Sequence, residues 1–248
     1  MNRLISFALL VALSVACSLL VAANLVSADE DKPTNLDADR NLVGWWKFDE
    51  RSGKTAADSS KHGRDGTLKG NLSFDDDSVP GRMGKALKFG GKDYVQITGY
   101  KGITGTGPRT VAAWIKTKSS RGQIASWGLD EGGKMWIFGF IRDGIGVTPN
   151  GGYLYINAEA HDDEWHHVAA VVEEAELPNL HDDVKLFMDG ELQEIHDIGL
   201  LDLWPVDTGS DLDVRIGMGF RGLIDDVRIY ERPLSDEEIK ALGKGKDR

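Results

Sequence analysis

Apolar and polar residues alternate with a period of two in short runs from about residue 42 to residue 230. Glycine or acidic clusters bound these runs, which is typical of β-strands joined by tight turns. The predicted strands cover residues 42–48, 66–68, 86–89, 94–98, 109–116, 123–127, 135–141, 145–148, 153–156, 165–173, 184–193 (interrupted by a turn) and 222–230. About a dozen short strands of this kind predict an all-β sandwich or jelly roll.

Two local signals add detail to this pattern. Asp189-Gly190 separates two β runs, which predicts a tight hairpin with positive backbone φ angles. Helical periodicity begins only after Ser235, where Ser-Asp-Glu-Glu forms a capping box. A short helix is therefore predicted over residues 236–242, with Gly243 closing it.

The last predicted strand carries an acid in an apolar setting. At period two, Asp225 shares a face with Val227 and Ile229, whereas Asp226 and Arg228 share the opposite face. A carboxylate beside an apolar strand face needs a cation or several hydrogen-bond donors to offset its burial. Asp225 is therefore a candidate binding residue.

The N-terminus has the features of a secretory signal. A basic start at Arg3 precedes an apolar run, and Val-Ser-Ala ends at residue 28, so residues 1–28 are predicted to be a signal peptide. A lipoprotein processed at Cys17 is the alternative, although Ser14 stands where leucine is usual. We expect a secreted or periplasmic/cell-envelope protein without membrane insertion after cleavage, divided into a flexible leader (29–40), one domain (41–243) and a tail (244–248).

Net charge and cysteine content exclude several classes of partner and chemistry. The 248-residue chain has a formal net charge of −11, which argues against nucleic-acid partners and anionic membranes. Cys17 is the only cysteine, so the predicted mature chain has neither a disulfide nor thiol chemistry. Its stability must come from an apolar core or from a metal.

Four sequence blocks resemble the laminin-G-like domain of the concanavalin A-like lectin/glucanase superfamily, in the form common in exported bacterial proteins. They are residues 46–50 with 58–60, 84–90 with 93–95, 165–169 with 186–190, and 222–235. The resemblance spans about residues 42–242. It implies two curved antiparallel sheets packed face to face, with the first and last strands as neighbours.

The resemblance also implies a calcium ion. Asp225 is its best candidate ligand, with Asp49 or Glu50 and Asp58 as partners, and calcium prefers such oxygen ligands. However, Lys-His-Gly-Arg at residues 61–64 replaces the glycine and asparagine usual in the family. The alternative that Asp225 is a structural acid bound to backbone donors therefore stays open.

Known catalytic patterns of related folds are not matched. Related glycoside hydrolases use a Glu-x-Asp-x-x-Glu strand, and the nearest acidic run, residues 173–176, has the wrong spacing. Residues 194–196, Glu-Ile-His, are faintly similar to the Gln-Ile-His strand of alginate lyases, but the glutamine and the partner arginine motif are missing. We therefore expect a protein that is not an enzyme.

Aromatic side chains suggest carbohydrate binding, because sugars offer an apolar C–H face together with hydroxyl groups. The candidates are Trp127, Trp136, Tyr153 and Tyr155. We expect a polysaccharide or cell-surface glycan as the ligand. A protein-interaction, adhesion or envelope-structural module with an envelope or extracellular protein partner is the alternative, and a glycan hydrolase or lyase with an unrecognised site is the third possibility.

Overall fold

The computed structural model of the protein describes residues 35–199 and 205–245. The predicted signal peptide, Cys17 and the first part of the predicted leader lie outside the described residues. Within the described ranges, no helix combines the length and apolarity needed to span a membrane.

Two antiparallel sheets contain nearly all of the regular structure. The eight-stranded sheet consists of β1 (Leu42–Trp46), β4 (Ser78–Pro80), β5 (Lys85–Gly90), β7 (Arg109–Lys116), β12 (Trp165–Val172), β13 (Val184–Met188), β14 (Glu191–Leu192) and β17 (Arg221–Tyr230). The nine-stranded sheet consists of β2 (Thr55–Ala56), β3 (Gly66–Lys69), β6 (Tyr94–Ile97), β8 (Gln123–Gly128), β9 (Met135–Ile141), β10 (Gly144–Thr148), β11 (Tyr153–Tyr155), β15 (Asp197–Gly199) and β16 (Leu212–Ile216).

Strand order confirms the predicted jelly-roll sandwich. The eight-stranded sheet runs β14-β13-β12-β7-β17-β5-β4, with β1 paired to β17, and the nine-stranded sheet runs β15-β11-β10-β9-β8-β16-β6-β3-β2. The first and last described strands are therefore neighbours. The other elements are a 3-10 turn (Leu36–Ala38), α1 (Phe74–Asp77) and α2 (Asp236–Gly243).

Apolar side chains on the facing sides of the two sheets form the main core. Alternate residues of β7, such as Val111 and Ile115, point into it and are fully buried. A second apolar cluster lies on the outer face of the eight-stranded sheet, where Leu36 of the 3-10 turn and Ile239 of α2 cover Tyr230. The described N-terminal and C-terminal segments thus both pack on the eight-stranded sheet.

A β-bulge in β17 changes the predicted faces of this strand. Asp225 pairs with Trp114 and Arg228 pairs with Ala112, so β17 has one residue more than β7 between the two pairs. Asp226 supplies the extra residue, with φ at 51°. The prediction that Asp225 shares a face with Val227 and Ile229 is therefore wrong, because the bulge places Asp225 on the outer face.

The two local signals are confirmed. Asp189 and Gly190 have φ angles of 54° and 81° in the turn between β13 and β14. Helix α2 begins after Ser235, whose hydroxyl accepts from the backbone N–H of Glu238, while the Glu238 carboxylate accepts from the backbone N–H of Ser235. Local side-chain chemistry therefore determines both elements.

Part of the predicted flexible leader packs on the sandwich. Leu36 is buried, Asp37 forms an ion pair with Arg228 at 2.7 Å, and Asp39 forms one with Arg232. Leu36 therefore packs on the apolar outer face of the sheet, while the two aspartates after it pair with the two arginines of that face. For residues 35–40 the prediction of a flexible leader is wrong.

Candidate functional site

Strand β11 presents two tyrosines on the outer face of the nine-stranded sheet. Leu154 between them is fully buried in the core, so Tyr153 and Tyr155 point away from it. Tyr153 is half-buried, whereas Tyr155 is only 8% exposed. Glycines of neighbouring strands leave room for the rings: a Cβ atom at Gly146 would lie 2.6 Å from the Tyr155 Cβ, and one at Gly199 would lie 2.2 Å from the Tyr153 ring. The two ring centroids are 6.1 Å apart.

A cleft of about 400 Å³ lies next to Tyr155, whose ring contacts His196 in the cleft wall. It lies between residues 156–158, which follow β11, and residues 193–196, which cross from one sheet to the other. Its walls are Ile156, Asn157, Ala158, Gln193, Glu194, Ile195 and His196. The His196 ring lies 5.5 Å from the Tyr155 ring, and the His196 backbone N–H donates to the Tyr155 carbonyl oxygen over 2.9 Å. We call Tyr153, Tyr155 and this cleft the tyrosine cleft.

The tyrosine cleft combines aromatic carbon with several polar groups. Asn157, Glu194 and His196 are exposed, and Gln193 is half-buried. Amides and imidazoles both donate and accept hydrogen bonds, whereas a carboxylate accepts them. Arg142 adds a cation 4.7 Å from the Tyr153 ring centroid. This combination suits a ligand with an apolar face and many hydroxyl groups.

Trp127 and Trp136 do not contribute to an exposed site. They are 0% and 1% exposed, respectively, and their ring centroids lie 6.0 Å apart within the core. The Trp127 indole N–H donates to the Ile103 carbonyl oxygen over 3.0 Å. The prediction of these two tryptophans as sugar contacts is therefore wrong, because the strand pleat directs both rings towards the facing sheet.

Two of the four predicted metal-binding acids converge on one turn. The backbone N–H of Met83 donates to Asp225 Oδ2, and that of Lys85 donates to Asp49 Oδ1, each over 2.8 Å. A Cβ atom at Gly81 would lie 2.6 Å from the Lys85 carbonyl oxygen and 2.7 Å from Asp225 Oδ2. Two carboxylates and a backbone carbonyl thus surround the turn of residues 81–85.

The other two acids bind elsewhere. Asp58 accepts backbone N–H bonds from Trp45, Ser60 and Arg64 at 2.8–3.0 Å, which organises the loop after β1. Glu50 accepts from the Ala57 N–H over 2.7 Å, and burial raises the pKa of its carboxyl above the ordinary value. Within the described ranges, no three His, Cys, Asp or Glu side chains are grouped to hold a metal, so the four predicted acids do not form one cluster.

Comparisons with known proteins agree with the architecture. A family model described as "Concanavalin A-like lectin/glucanases superfamily" matches residues 89–240. Domain 4 of a GH43 extracellular arabinanase from Geobacillus stearothermophilus, solved in complex with arabinotriose, has a TM-score of 0.60 and 18% identity over 82% of this chain and 98% of that domain. The binding domain of Paraclostridial Mosquitocidal Protein 1 has a TM-score of 0.54 and 15% identity, and the alignment covers 82% of this chain but 52% of that one. No curated protein sequence matches the chain.

Proposed function

Because the chain belongs to the concanavalin A-like lectin/glucanase superfamily, we propose that it is an exported carbohydrate-binding domain that holds its ligand in the tyrosine cleft. The observation that carries this proposal is the half-buried Tyr153 ring, packed against Tyr155 on the outer face near a cleft lined by two amides, a carboxylate and an imidazole. Export rests on the predicted signal peptide. The arabinanase domain of the same fold, solved with arabinotriose, supports a sugar ligand.

The two other functions differ in the surface that they need. A protein-interaction or adhesion module would use an exposed apolar patch. In the described ranges, the exposed large apolar side chains are Leu177 and Leu192. A hydrolase or lyase needs acid and base groups in a cleft, and the tyrosine cleft contains Glu194 and His196. Polysaccharide binding must therefore be measured together with release of soluble products.

The Tyr153→Ala variant is expected to bind its glycan about tenfold more weakly, because an aromatic contact at a binding site contributes more than about 1 kcal/mol. A polysaccharide and glycan array would identify a ligand, and calorimetry would give the Kd. Leu177→Ala is the matched control, since Leu177 is 66% exposed and lies outside the tyrosine cleft.

Equal binding by wild type and Tyr153→Ala would contradict the proposed site. Loss of binding in Leu177→Ala alone would favour an apolar docking surface. Release of products by wild type but not by Glu194→Gln would identify an enzyme instead of a binding domain.

We propose calcium as a structural ion at the turn of residues 81–85, with Asp49 and Asp225 as its carboxylate ligands. The Lys85 carbonyl oxygen next to Asp225 provides a further oxygen of the type that calcium prefers. Calcium takes six to eight ligands, so water would complete the shell. Glu50 and Asp58 are not included, because their carboxylates bind backbone N–H groups of residues 45–64 and not those of the turn of residues 81–85.

Calcium at about ten times its Kd is expected to raise the Tm by about 3–5 °C, which corresponds to about 1.4 kcal/mol for a domain of this size. EDTA should reverse the shift. Differential scanning calorimetry of Asp225→Asn should show no response to calcium, whereas Asp58→Asn should retain it. A wild-type Tm unaffected by calcium and EDTA would overturn this assignment.

A further inference from the structure

A row of side chains crosses the outer face of the nine-stranded sheet from β10 to β3. Cross-strand pairing places its members directly opposite one another in the order Thr148, Ile137, Ser126, Arg215, Gln96 and Thr67. Tyr153 of the tyrosine cleft lies beside Thr148, since the register of β10 and β11 pairs Leu154 with Val147. We call this set the cross-strand row.

Arg215 occupies the middle of the cross-strand row. It lies four strands from Tyr153, a distance of about 19 Å at the usual spacing between strands. A short oligosaccharide that runs across the strands can therefore contact both positions. The guanidinium of Arg215 lies 5.7 Å from the Tyr94 ring centroid, so an aromatic surface supports it.

The charge of Arg215 is not neutralised by the protein. Among the described residues, no Asp or Glu lies within 4 Å of its guanidinium, and its Nε is buried without a hydrogen-bond partner. The acid two residues earlier, Asp213, already forms an ion pair with Lys101 at 2.8 Å and accepts from Gln96 over 3.1 Å. Burial alone would raise the pKa of the Asp213 carboxyl, but the bonds to Lys101 and Gln96 lower it below its ordinary value.

The buried arginines, and the half-buried Arg232, have clear polar partners. Arg228 and Arg232 form ion pairs, and Arg109 donates to backbone carbonyl oxygens. Arg215 is half-buried and lies on the open outer face of the sheet, in a chain whose net charge is −11. Partial burial strengthens its interaction with an anion, because the local dielectric constant is lower than that of water.

We infer that Arg215 binds an anionic group of the ligand, so the glycan is acidic, with carboxylate or sulfate groups. This inference rests on the proposed carbohydrate-binding function and specifies its ligand class. Guanidinium forms paired hydrogen bonds with both carboxylate and sulfate oxygens. The half-buried Gln96, directly opposite Arg215, offers its amide group to a neighbouring hydroxyl of the ligand, whereas Ser126 on the other side is only 3% exposed.

Matched polysaccharide pairs test this inference with the purified protein. Polygalacturonate and its methyl ester differ in the charge of the carboxyl group, and dextran sulfate and dextran differ in sulfate. We expect the protein to bind the charged member of at least one pair at least tenfold more tightly than its neutral partner. The pair that shows the preference identifies the anionic group.

Arg215→Gln is expected to weaken binding of the charged polysaccharide about tenfold and to leave binding of the neutral one unchanged. Arg215→Lys should retain part of the preference, since it keeps the charge but loses the paired donors. Arg121→Gln is the control, because it makes the same charge change at an exposed loop position outside the cross-strand row. The Tm of each variant checks its folding.

Equal binding of charged and neutral members would overturn the acidic-ligand inference but leave the carbohydrate-binding function in place. An equal loss in Arg215→Gln and Arg121→Gln would also overturn it, because the effect would then follow net charge and not position. Binding of no polysaccharide, here or on the array, would contradict the proposed function itself.

Discussion

Replacing Arg228 with methionine is expected to lower the free energy of unfolding by about 3–5 kcal/mol, because removing one partner of a buried ion pair leaves the other charge uncompensated. Arg228 is 5% exposed and donates to Asp226 over 2.9 Å and to Asp37 over 2.7 Å. Its guanidinium also lies 4.2 Å from the Trp45 ring centroid. Chemical denaturation measures the change.

A second replacement separates the ion pair from the packing. Asp226→Asn in the Arg228→Met background should recover part of the loss, since asparagine tolerates a φ of 51° and its oxygen still accepts from the Trp45 indole. Lys118→Met, which removes an exposed ion pair with Asp163, should cost no more than about 1 kcal/mol. A similar cost for Lys118→Met and Arg228→Met would contradict the buried network.

The protein is expected to lose about 3 kcal/mol of stability through His167 as the pH falls from 6.5 to about 4. Burial lowers the pKa of His167 to about 4, and the ring, with Nδ1 lacking a hydrogen-bond partner, lies 5.3 Å from that of Trp114. Below pH 6.5 the unfolded chain therefore binds a proton that the folded chain does not. Asp226, Arg228 and Asp189 are the charged groups that influence this pKa.

His167→Phe should remove this acid-sensitive component, because phenylalanine retains an aromatic ring without a titrating group. Urea denaturation of both proteins between pH 4 and pH 8 would give the difference at each pH. Burial favours a lower pKa for His166, but its ring donates hydrogen bonds to the carboxylates of Asp189 and Asp162, which raise the pKa above its ordinary value. Protonated His166 therefore stabilises the fold, and His166→Gln should make the protein less stable at low pH than wild type. Parallel profiles for wild type and His167→Phe would exclude His167 as the source.

Local patterns in the sequence predict most of the fold. Period-two alternation locates the long strands. The turn at Asp189 and the helix cap at Ser235 are also predictable, because each depends on residues that are close together in the sequence. The bulge at Asp226 could not be predicted in this way, because no sequence pattern identifies a residue other than glycine that adopts a left-handed backbone conformation. The bulge moves Asp225 to the outer face and places Asp226 next to Arg228, with which it forms an ion pair.

The candidate site is less predictable, since long-range packing assembles it. Tyr153 and Tyr155 follow from alternation within β11, whereas burial of Trp127 depends on the facing sheet. Residues 193–196 have no regular periodicity and reach β11 only because the chain crosses between sheets there. Arg215 looks like an ordinary strand-surface residue in the sequence, and its lack of an acidic partner becomes visible only across β6, β8 and β16.

The position of β17 has a consequence for how the chain folds. This strand joins β7 to β5 and β1 in the eight-stranded sheet, yet it is the last strand in the described sequence. Until residues 221–230 have been synthesised, β7 and β5 have open edges that invite pairing with other chains. The sandwich therefore closes only after synthesis of its final strand, and we expect slow folding governed by contacts between distant residues.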